Sequence, residues 1–131
     1  MDLLEKYSQQ IAEELKIDDF TVNDVQLRAP ARKHYWVARL INHKIEVDKL
    51  KKKKAHIKKE IIEKLIENAP IKMTTASAER SIENTPDIAA INEQIKDLEY
   101  IVEYLEKVEK IYSSLTYDLK NICALRQMET M

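Results

Sequence analysis

Lysines are concentrated in one short stretch of the chain, "DKLKKKKAHIKKEII" from Asp48 to Ile62, which holds seven lysines and one histidine in fifteen residues. The phosphates of a nucleic-acid backbone are neutralised by Lys and Arg regardless of base sequence, and a lysine-studded helix is suited to that chemistry. Four consecutive lysines cannot share one face of a helix, because successive side chains are rotated by about 100°. The stretch therefore indicates an internal acidic partner, a membrane surface or a polyanion such as nucleic acid.

The candidate nucleic-acid-binding residues lie in this run and in the basic, aromatic stretch before it. Aromatic faces beside basic residues suit the stacked bases of a single strand, and Trp36 next to Tyr35 supplies such a face. The alternatives are a core position for Trp36 and, for the lysines, a solvated helix paired with acidic residues elsewhere in the chain. The set comprises Arg32, Lys33, Trp36, Arg39, Lys51, Lys52, Lys53, Lys54, Lys58 and Lys59.

Charge is strongly segmented, although the formal net charge of the 131 residues is only −1. Residues 1–27 carry a charge of −5, residues 28–66 carry +9, and residues 67–131 carry −5. A basic block between acidic ones is typical of internal pairing, of self-association or of a nucleic-acid surface. The acidic N-terminal segment, which repels phosphates, is expected to be an accessory surface rather than a DNA contact.

Other site chemistries find little support, and the chain is predicted not to be an enzyme. The sequence contains no glycine, which excludes the glycine-rich loops that cradle phosphates in nucleotide-binding proteins. His34, His43 and His56 lack the spacing of metal ligands on a helix, and Cys123 has no cysteine or histidine nearby. No catalytic residue, metal site or cofactor is predicted.

A reducing, cytoplasmic compartment is the expectation, because a single cysteine cannot form an intramolecular disulfide. The N-terminal stretch "MDLLEKYSQQIAEEL" is interrupted by charges and lacks a basic leader region. No uncharged run approaches the roughly 18 apolar residues of a membrane span. Secretion and membrane insertion are disfavoured.

Apolar periodicity predicts an all-α fold made of one short and two long helices. Residues 1–30 are expected to form an N-terminal helix and a connector, and residues 31–67 a long basic helix with Pro30 at its start. Residues 68–86 are expected to be a mobile linker, and residues 87–126 a coiled-coil-like helix that begins at a Thr85 cap. The whole is predicted to be a single helical domain whose long helices form a hairpin or bundle.

The last helix carries the predicted oligomerisation residues. Two long helices in so small a chain bury little surface alone, and homo-oligomerisation is the natural remedy. A monomeric antiparallel hairpin is the alternative. The predicted interface residues are Ile88, Ile91, Ile95, Leu98, Val102, Leu105, Leu115, Leu119 and Ile122.

Three stretches resemble a known family. "EELKIDDFTVNDVQLRAPARKHYWVARLIN" resembles the start of UvsY-type recombination mediators of tailed bacteriophages, where an Ile-Asp-Asp opening leads to a Leu-Arg-x-Pro segment and a long basic helix. "SIENTPDIAAINEQIKDLEYIVEYLEKV" is similar to their later coiled-coil helix, and "LTYDLKNICALRQM" to their closing segment. The chain departs from the family at Leu115 and Thr116, where relatives have Arg-Gly, and at Leu125, where they have Trp. It also lacks their Tyr-Tyr-x-Gly ending of the basic helix.

The resemblance implies a non-enzymatic protein of the host cytoplasm during phage infection, acting in DNA recombination and repair. Such a protein forms a ring-like homo-oligomer of six or seven subunits and binds single-stranded DNA. It helps to load the phage recombinase in place of a single-strand-binding protein. The resemblance places Lys58 and Lys59 at positions that contact DNA in the family.

Two other interpretations of the residues stay open. The chain can be a structural coiled-coil adaptor or assembly chaperone, in which segmented charge sets helix pairing and no nucleic acid is involved. It can also be an amphipathic helix on anionic membranes, an interpretation weakened by the narrow, lysine-bearing apolar face.

Overall fold

The computed structural model describes residues 2–68, 74–83 and 85–130, and every regular element in these ranges is an α-helix. Helix α1 spans Asp2–Glu14, α2 spans Val22–Asn68, α3 spans Thr75–Ile82 and α4 spans Pro86–Thr130. The predicted all-α class is therefore confirmed. The helices contribute to two compact units: unit 1 comprises Met1–Asn42 and Tyr100–Met131, and unit 2 comprises His43–Glu99.

A capping box starts α2. The Asp18 carboxylate accepts hydrogen bonds from the N–H groups of Phe20, at 2.8 Å, and Thr21, at 2.9 Å. The Thr21 hydroxyl accepts in return from the Asp18 N–H at 2.9 Å. These bonds satisfy backbone donors that lack a partner in a first helical turn. Because they favour the ionised carboxylate, they also hold the pKa of Asp18 below its usual value, with the bond from Phe20 contributing most.

The prediction that the basic helix starts at Ala31 is wrong, since α2 begins at Val22 and Pro30 lies inside it. A proline inside a helix removes one N–H, so the carbonyl of Gln26, four residues earlier, receives no hydrogen bond from the helix backbone. Both residues are exposed, which lets water reach that carbonyl. The capping box at Asp18 thus overrides the proline as the start signal.

Unit 1 is built from α1, the first part of α2 and the last part of α4. On α4 the buried side chains follow one another at alternating intervals of four and three residues, the spacing of one helix face. Trp36 is the largest fully buried side chain and meets the Tyr7 ring edge-on at a centroid distance of 5.2 Å. The buried apolar residues are Tyr7, Ile11, Val22, Val25, Ala29, Trp36, Leu40, Ile101, Leu105, Val108, Tyr112, Leu115 and Leu119.

Unit 2 contains α3, which lies where the sequence predicts a mobile linker. The Thr74 hydroxyl caps this helix by accepting from the Ser77 N–H at 3.2 Å. Ala78 and Ile82 are 0% and 1% exposed, so α3 is packed by its apolar face. The linker prediction for residues 68–86 is therefore wrong over α3, and residues 69–73 and 84 lie outside the described residues. The other buried residues of unit 2 are His43, Val47, Ile88, Ile91 and Ile95.

Helix α4 is continuous through Leu115 and Thr116, the positions at which the chain departs from the resembled family. It begins at Pro86, next to the predicted start at 87, and ends at Thr130, beyond the predicted end at 126. The Thr85 hydroxyl, however, donates to the Ile82 carbonyl at 2.8 Å instead of accepting from the new helix. The Thr85 carbonyl accepts from the Ala89 N–H at 2.9 Å, which begins the α4 ladder.

Candidate nucleic-acid interface

The lysine segment, defined as Lys49–Lys59, is part of α2 and belongs to unit 2. It contains seven lysines and no acidic residue. At a rise of about 1.5 Å per residue, it spans about 15 Å of helix. Val47 is the last fully buried residue of α2, and in the lysine segment Leu50 and Ile57 are half-buried and Ala55 is exposed. The lysines are therefore carried on a helical frame close to the surface.

Three lysines of the segment, the inner lysines Lys51, Lys54 and Lys58, face acidic residues of unit 2. Lys58 Nζ lies 2.5 Å from Oε1 of Glu83, the residue that follows α3. Lys51 Nζ lies 3.4 Å from Oε1 of Glu99 on α4. The hydrogen bond and charge of Lys58, with a smaller contribution from the charge of Lys54, hold the pKa of Glu83 below its usual value. The positive charge on this side is thus partly neutralised within the chain.

The other four lysines are the outer lysines Lys49, Lys52, Lys53 and Lys59. With Leu50 set at 0° on the helix, the outer lysines fall between about 180° and 300°, whereas the inner lysines fall between about 40° and 100°. All four are exposed, and none is in an ion pair with any described residue. The helix thereby separates the seven lysines into an inner side, on which Lys51 and Lys58 are in ion pairs, and an open side.

Acidic residues bound the open side at both ends. Asp48 precedes the lysine segment, and Glu60 and Glu63 follow it, all three exposed. Oε1 of Glu60 lies 3.0 Å from Nε2 of His56, so that this glutamate already has a partner within the segment. The uninterrupted positive surface is therefore about three helical turns long, enough for a few phosphates per chain.

Trp36 does not belong to this surface, although the sequence-based site includes it. It lies in unit 1 and is 1% exposed, so no base can stack on it in this conformation. Its indole Nε1 donates to Oε2 of Glu14 at 2.7 Å. The core position, weighed as the alternative from the sequence, is the one observed. A buried indole needs a hydrogen-bond acceptor, and the end of α1 supplies it.

The Glu14 carboxylate holds three donors inside unit 1. Besides Trp36, Oε2 accepts from the Tyr112 hydroxyl at 2.8 Å, and Oε1 accepts from Nη2 of Arg32. The side chain of Glu14 is 17% exposed. Burial raises the pKa of Tyr112, which keeps its hydroxyl protonated as a donor. Glu14 thus connects α1, α2 and α4 through one carboxylate.

The remaining predicted cations of unit 1 also have partners. The guanidinium groups of Arg32 and Arg39 both lie 4.3 Å from the centroid of the Tyr35 ring. Lys33 Nζ lies 3.8 Å from Oε1 of Glu109. Cation–π contacts and ion pairs of this kind stabilise helix packing. The structure therefore gives these residues roles within unit 1 and does not bring them together with the lysine segment in one unit.

Six of the nine predicted oligomerisation residues are buried within a single chain: Ile88, Ile91, Ile95, Leu105, Leu115 and Leu119. Leu98, Val102 and Ile122 are half-buried. Side chains already covered within one chain offer little surface to a second copy. The three-four spacing of α4 is thus accounted for by intrachain packing, and self-association itself stays a prediction.

The sequence-based site lacked Lys49 and the two acidic partners of the inner lysines. The position of Lys49 in the sequence is enough to give its angle on the helix, and this angle places it with the other outer lysines. Glu83 and Glu99 lie 25 and 48 residues from the lysines that they pair with, a separation across which sequence periodicity carries no signal. Knowing which lysines are neutralised requires the fold.

The chain matches no protein-family model, no curated protein and no solved structure. In the described parts of the chain, no group of three or more His, Cys, Asp or Glu side chains is arranged to hold a metal ion. No helix within the same residues has an apolar run long enough to cross a membrane.

Proposed function

We propose that this chain binds single-stranded DNA through its outer lysines and acts as a recombination mediator of the UvsY type. The observation that supports DNA binding is the open side of the lysine segment, where four exposed lysines lie within about 15 Å and lack ion-pair partners among the described residues. The loading of a phage recombinase in exchange for a single-strand-binding protein rests on the family resemblance.

Single strands fit the outer lysines better than duplex for a geometric reason. The outer lysines run along one side of α2, and a flexible strand can lay successive phosphates along it. The phosphates of a duplex follow a fixed helical path, so fewer of them meet the same four ammonium groups. Because Trp36 is buried and Tyr35 carries two arginines, base stacking adds little, and binding is expected to be independent of base sequence.

The expected strength of binding follows from counterion release. Log K falls as log salt concentration rises, and each phosphate contact on a single strand steepens this fall by about 0.7. One contact therefore strengthens binding about fivefold at 0.1 M salt relative to 1 M, and four contacts roughly 600-fold. One chain alone is a modest binder, and several linked copies would bind far more tightly.

Self-association into the ring implied by the resemblance is part of the proposal, with a different interface from the one predicted. Phe20 is 95% exposed and Leu27 is 81% exposed, and they lie seven residues apart. Phe20 lies in the turn before α2 and Leu27 lies in the first part of α2. Exposed apolar side chains this near one another in the chain are candidates to contact a second copy.

The experiment that tests DNA binding compares two double variants with the same change in charge. Lys52→Ala/Lys59→Ala removes two outer lysines, and Lys51→Ala/Lys58→Ala removes two inner ones. Affinity for a fluorescein-labelled oligothymidine is measured by anisotropy at about 0.1 M salt. The outer variant is expected to bind about 25-fold more weakly than the wild-type chain, since two contacts are lost. The inner variant is expected to lose less than about fivefold.

The coiled-coil adaptor is the second candidate, favoured by the Lys51–Glu99 and Lys58–Glu83 pairs, in which lysines of α2 meet acidic residues of unit 2. If the adaptor is correct, the wild-type chain does not bind the oligonucleotide. The inner variant is then the one with a phenotype, a lower melting temperature, because it leaves two glutamates unpaired.

A further inference from the structure

Glu83 is 25 residues from Lys58 in the sequence, but the fold brings the two side chains into an ion pair. Its carboxylate is 2.5 Å from Lys58 Nζ, whereas the other pair of the segment, Lys51 with Glu99, is separated by 3.4 Å. The Lys58 side chain is 25% exposed and that of Lys51 is 58% exposed. The charge of Lys54 also acts on Glu83. The carboxylate thus pairs with Lys58 and lies within the field of Lys54.

The local structure holds Glu83 in this place. Ile82, its neighbour in the chain, is 1% exposed, and Ala78 one turn earlier is fully buried, which fixes α3 by its apolar face. The Ile82 carbonyl accepts from the N–H of Thr85 at 3.0 Å and from its hydroxyl at 2.8 Å, which closes the turn containing Glu83. The carboxylate is therefore positioned by the fold.

We propose that Glu83 is a built-in competitor for DNA, which occupies Lys58 and so keeps this lysine from the strand. The inference rests on the proposed function. A carboxylate and a phosphate are both anions that accept hydrogen bonds from an ammonium group, so one excludes the other from the same nitrogen. Ion pairs near the surface are individually weak, and a strand that brings several phosphates at once can displace this carboxylate.

The competitor gives the site two binding states. With Glu83 in place, the strand contacts the outer lysines alone. When Glu83 is displaced, Lys58 adds one further contact, which steepens the salt dependence by about 0.7. Any partner or modification that draws α3 away from α2 would strengthen DNA binding by the same route.

The test replaces Glu83→Gln in the full chain and uses Glu79→Gln as the matched control. Glu79 lies one turn earlier on α3 and lines an open groove together with Lys58 and Lys59, but it forms no ion pair with any described residue. Both variants lose one negative charge at nearly the same place. Circular dichroism checks that both remain helical, and anisotropy with labelled oligothymidine gives affinity and salt slope.

Glu83→Gln is expected to bind about fivefold more tightly than wild type at 0.1 M salt, with a slope steeper by about 0.7. Glu79→Gln is expected to stay within about twofold of wild type with an unchanged slope. In a Lys58→Ala background, Glu83→Gln should change affinity by no more than about twofold, as Glu79→Gln does, because the lysine that Glu83 occupies is gone.

Two failures are distinguishable. If wild type binds and Glu83→Gln behaves like Glu79→Gln, the gain reflects net charge only, and the competitor role is overturned while the proposed function stands. If neither wild type nor Glu83→Gln binds the oligonucleotide, the proposed function is overturned and the competitor role with it. An unchanged gain in the Lys58→Ala background also contradicts the competitor role.

Discussion

Replacing Glu14 with alanine should destabilise unit 1 more than any other single change to a charged residue in α1. The substitution removes the acceptor of Trp36 Nε1, of the Tyr112 hydroxyl and of Nη2 of Arg32. The Trp36 and Tyr112 side chains are 1% and 5% exposed, so water does not easily replace the lost carboxylate. The Arg32 side chain is 30% exposed and retains access to solvent.

The size of the effect follows from the two buried donors. A buried donor left without a partner costs roughly 1–3 kcal/mol, so two of them cost roughly 2–6 kcal/mol. This is a large part of the roughly 5–15 kcal/mol that stabilises a typical domain. Glu14→Gln keeps an acceptor oxygen but loses its charge, and should cost about 1–3 kcal/mol, since charge-assisted hydrogen bonds are about twice as strong as neutral ones.

Urea denaturation followed by circular dichroism and by Trp36 fluorescence measures these costs. Glu13→Ala is the control, because Glu13 is an exposed neighbour on α1 with no ion pair among the described residues. It should change the free energy of unfolding by less than about 0.5 kcal/mol. If Glu14→Ala were as mild as Glu13→Ala, the carboxylate would not be the acceptor on which Trp36 and Tyr112 depend.

Two leucines of α4 differ in burial, since Leu105 is 1% exposed and Leu125 is 60% exposed. In urea denaturation, Leu105→Ala should lower the free energy of unfolding by about 2–5 kcal/mol, and Leu125→Ala by less than about 0.5 kcal/mol. Equal losses would contradict the packing of α4. Because the folded-state pKa of Asp18 is lowered, its stabilising effect is present above its unfolded pKa and is lost as pH falls through the folded value. The melting temperature of wild type should therefore exceed that of Asp18→Ala at pH 7, and the difference should shrink as pH falls below 3.8, the usual value for Asp; a difference constant with pH would refute the capping role. Phe20→Ser/Leu27→Ser should lower the oligomer mass in sedimentation equilibrium without loss of helicity, and an unchanged mass would move the interface elsewhere.

Helix type and rough extent could be predicted from the sequence because both depend on local periodicity. The apolar spacing of α1 and α4 locates these helices within a few residues. The predicted start of α2 is wrong because Pro30 is, in general, a strong signal for a helix start. The start is decided here by the reciprocal pair of hydrogen bonds between Asp18 and Thr21. Helix α3 is not predicted because, among its residues whose burial is described, Ala78 and Ile82 are the buried ones, too few to establish a period.

The lysines of the site could be predicted from the sequence, but the acidic residues that pair with some of them could not. The density of lysine marks the segment, and helix geometry alone assigns each lysine to one of two sides. Which side is neutralised depends on Glu83 and Glu99, which reach the segment through the tertiary fold. The predicted stacking role of Trp36 is wrong because an aromatic residue beside arginines has the same sequence pattern on a stacking surface and in a core. Trp36 lies in the core, where Glu14 accepts a hydrogen bond from its N–H.

The salt dependence of single-stranded DNA binding tests the central claim most directly. Labelled oligothymidine is titrated with the wild-type chain and with Lys52→Ala/Lys59→Ala at several salt concentrations between about 50 mM and 400 mM. For four outer lysines, log K should fall linearly with log salt, with a slope of about −2.8 per bound chain, and two lost contacts should reduce it to about −1.4. Absence of binding, or the same slope for both proteins, would contradict the assignment of the outer lysines as the DNA-binding surface.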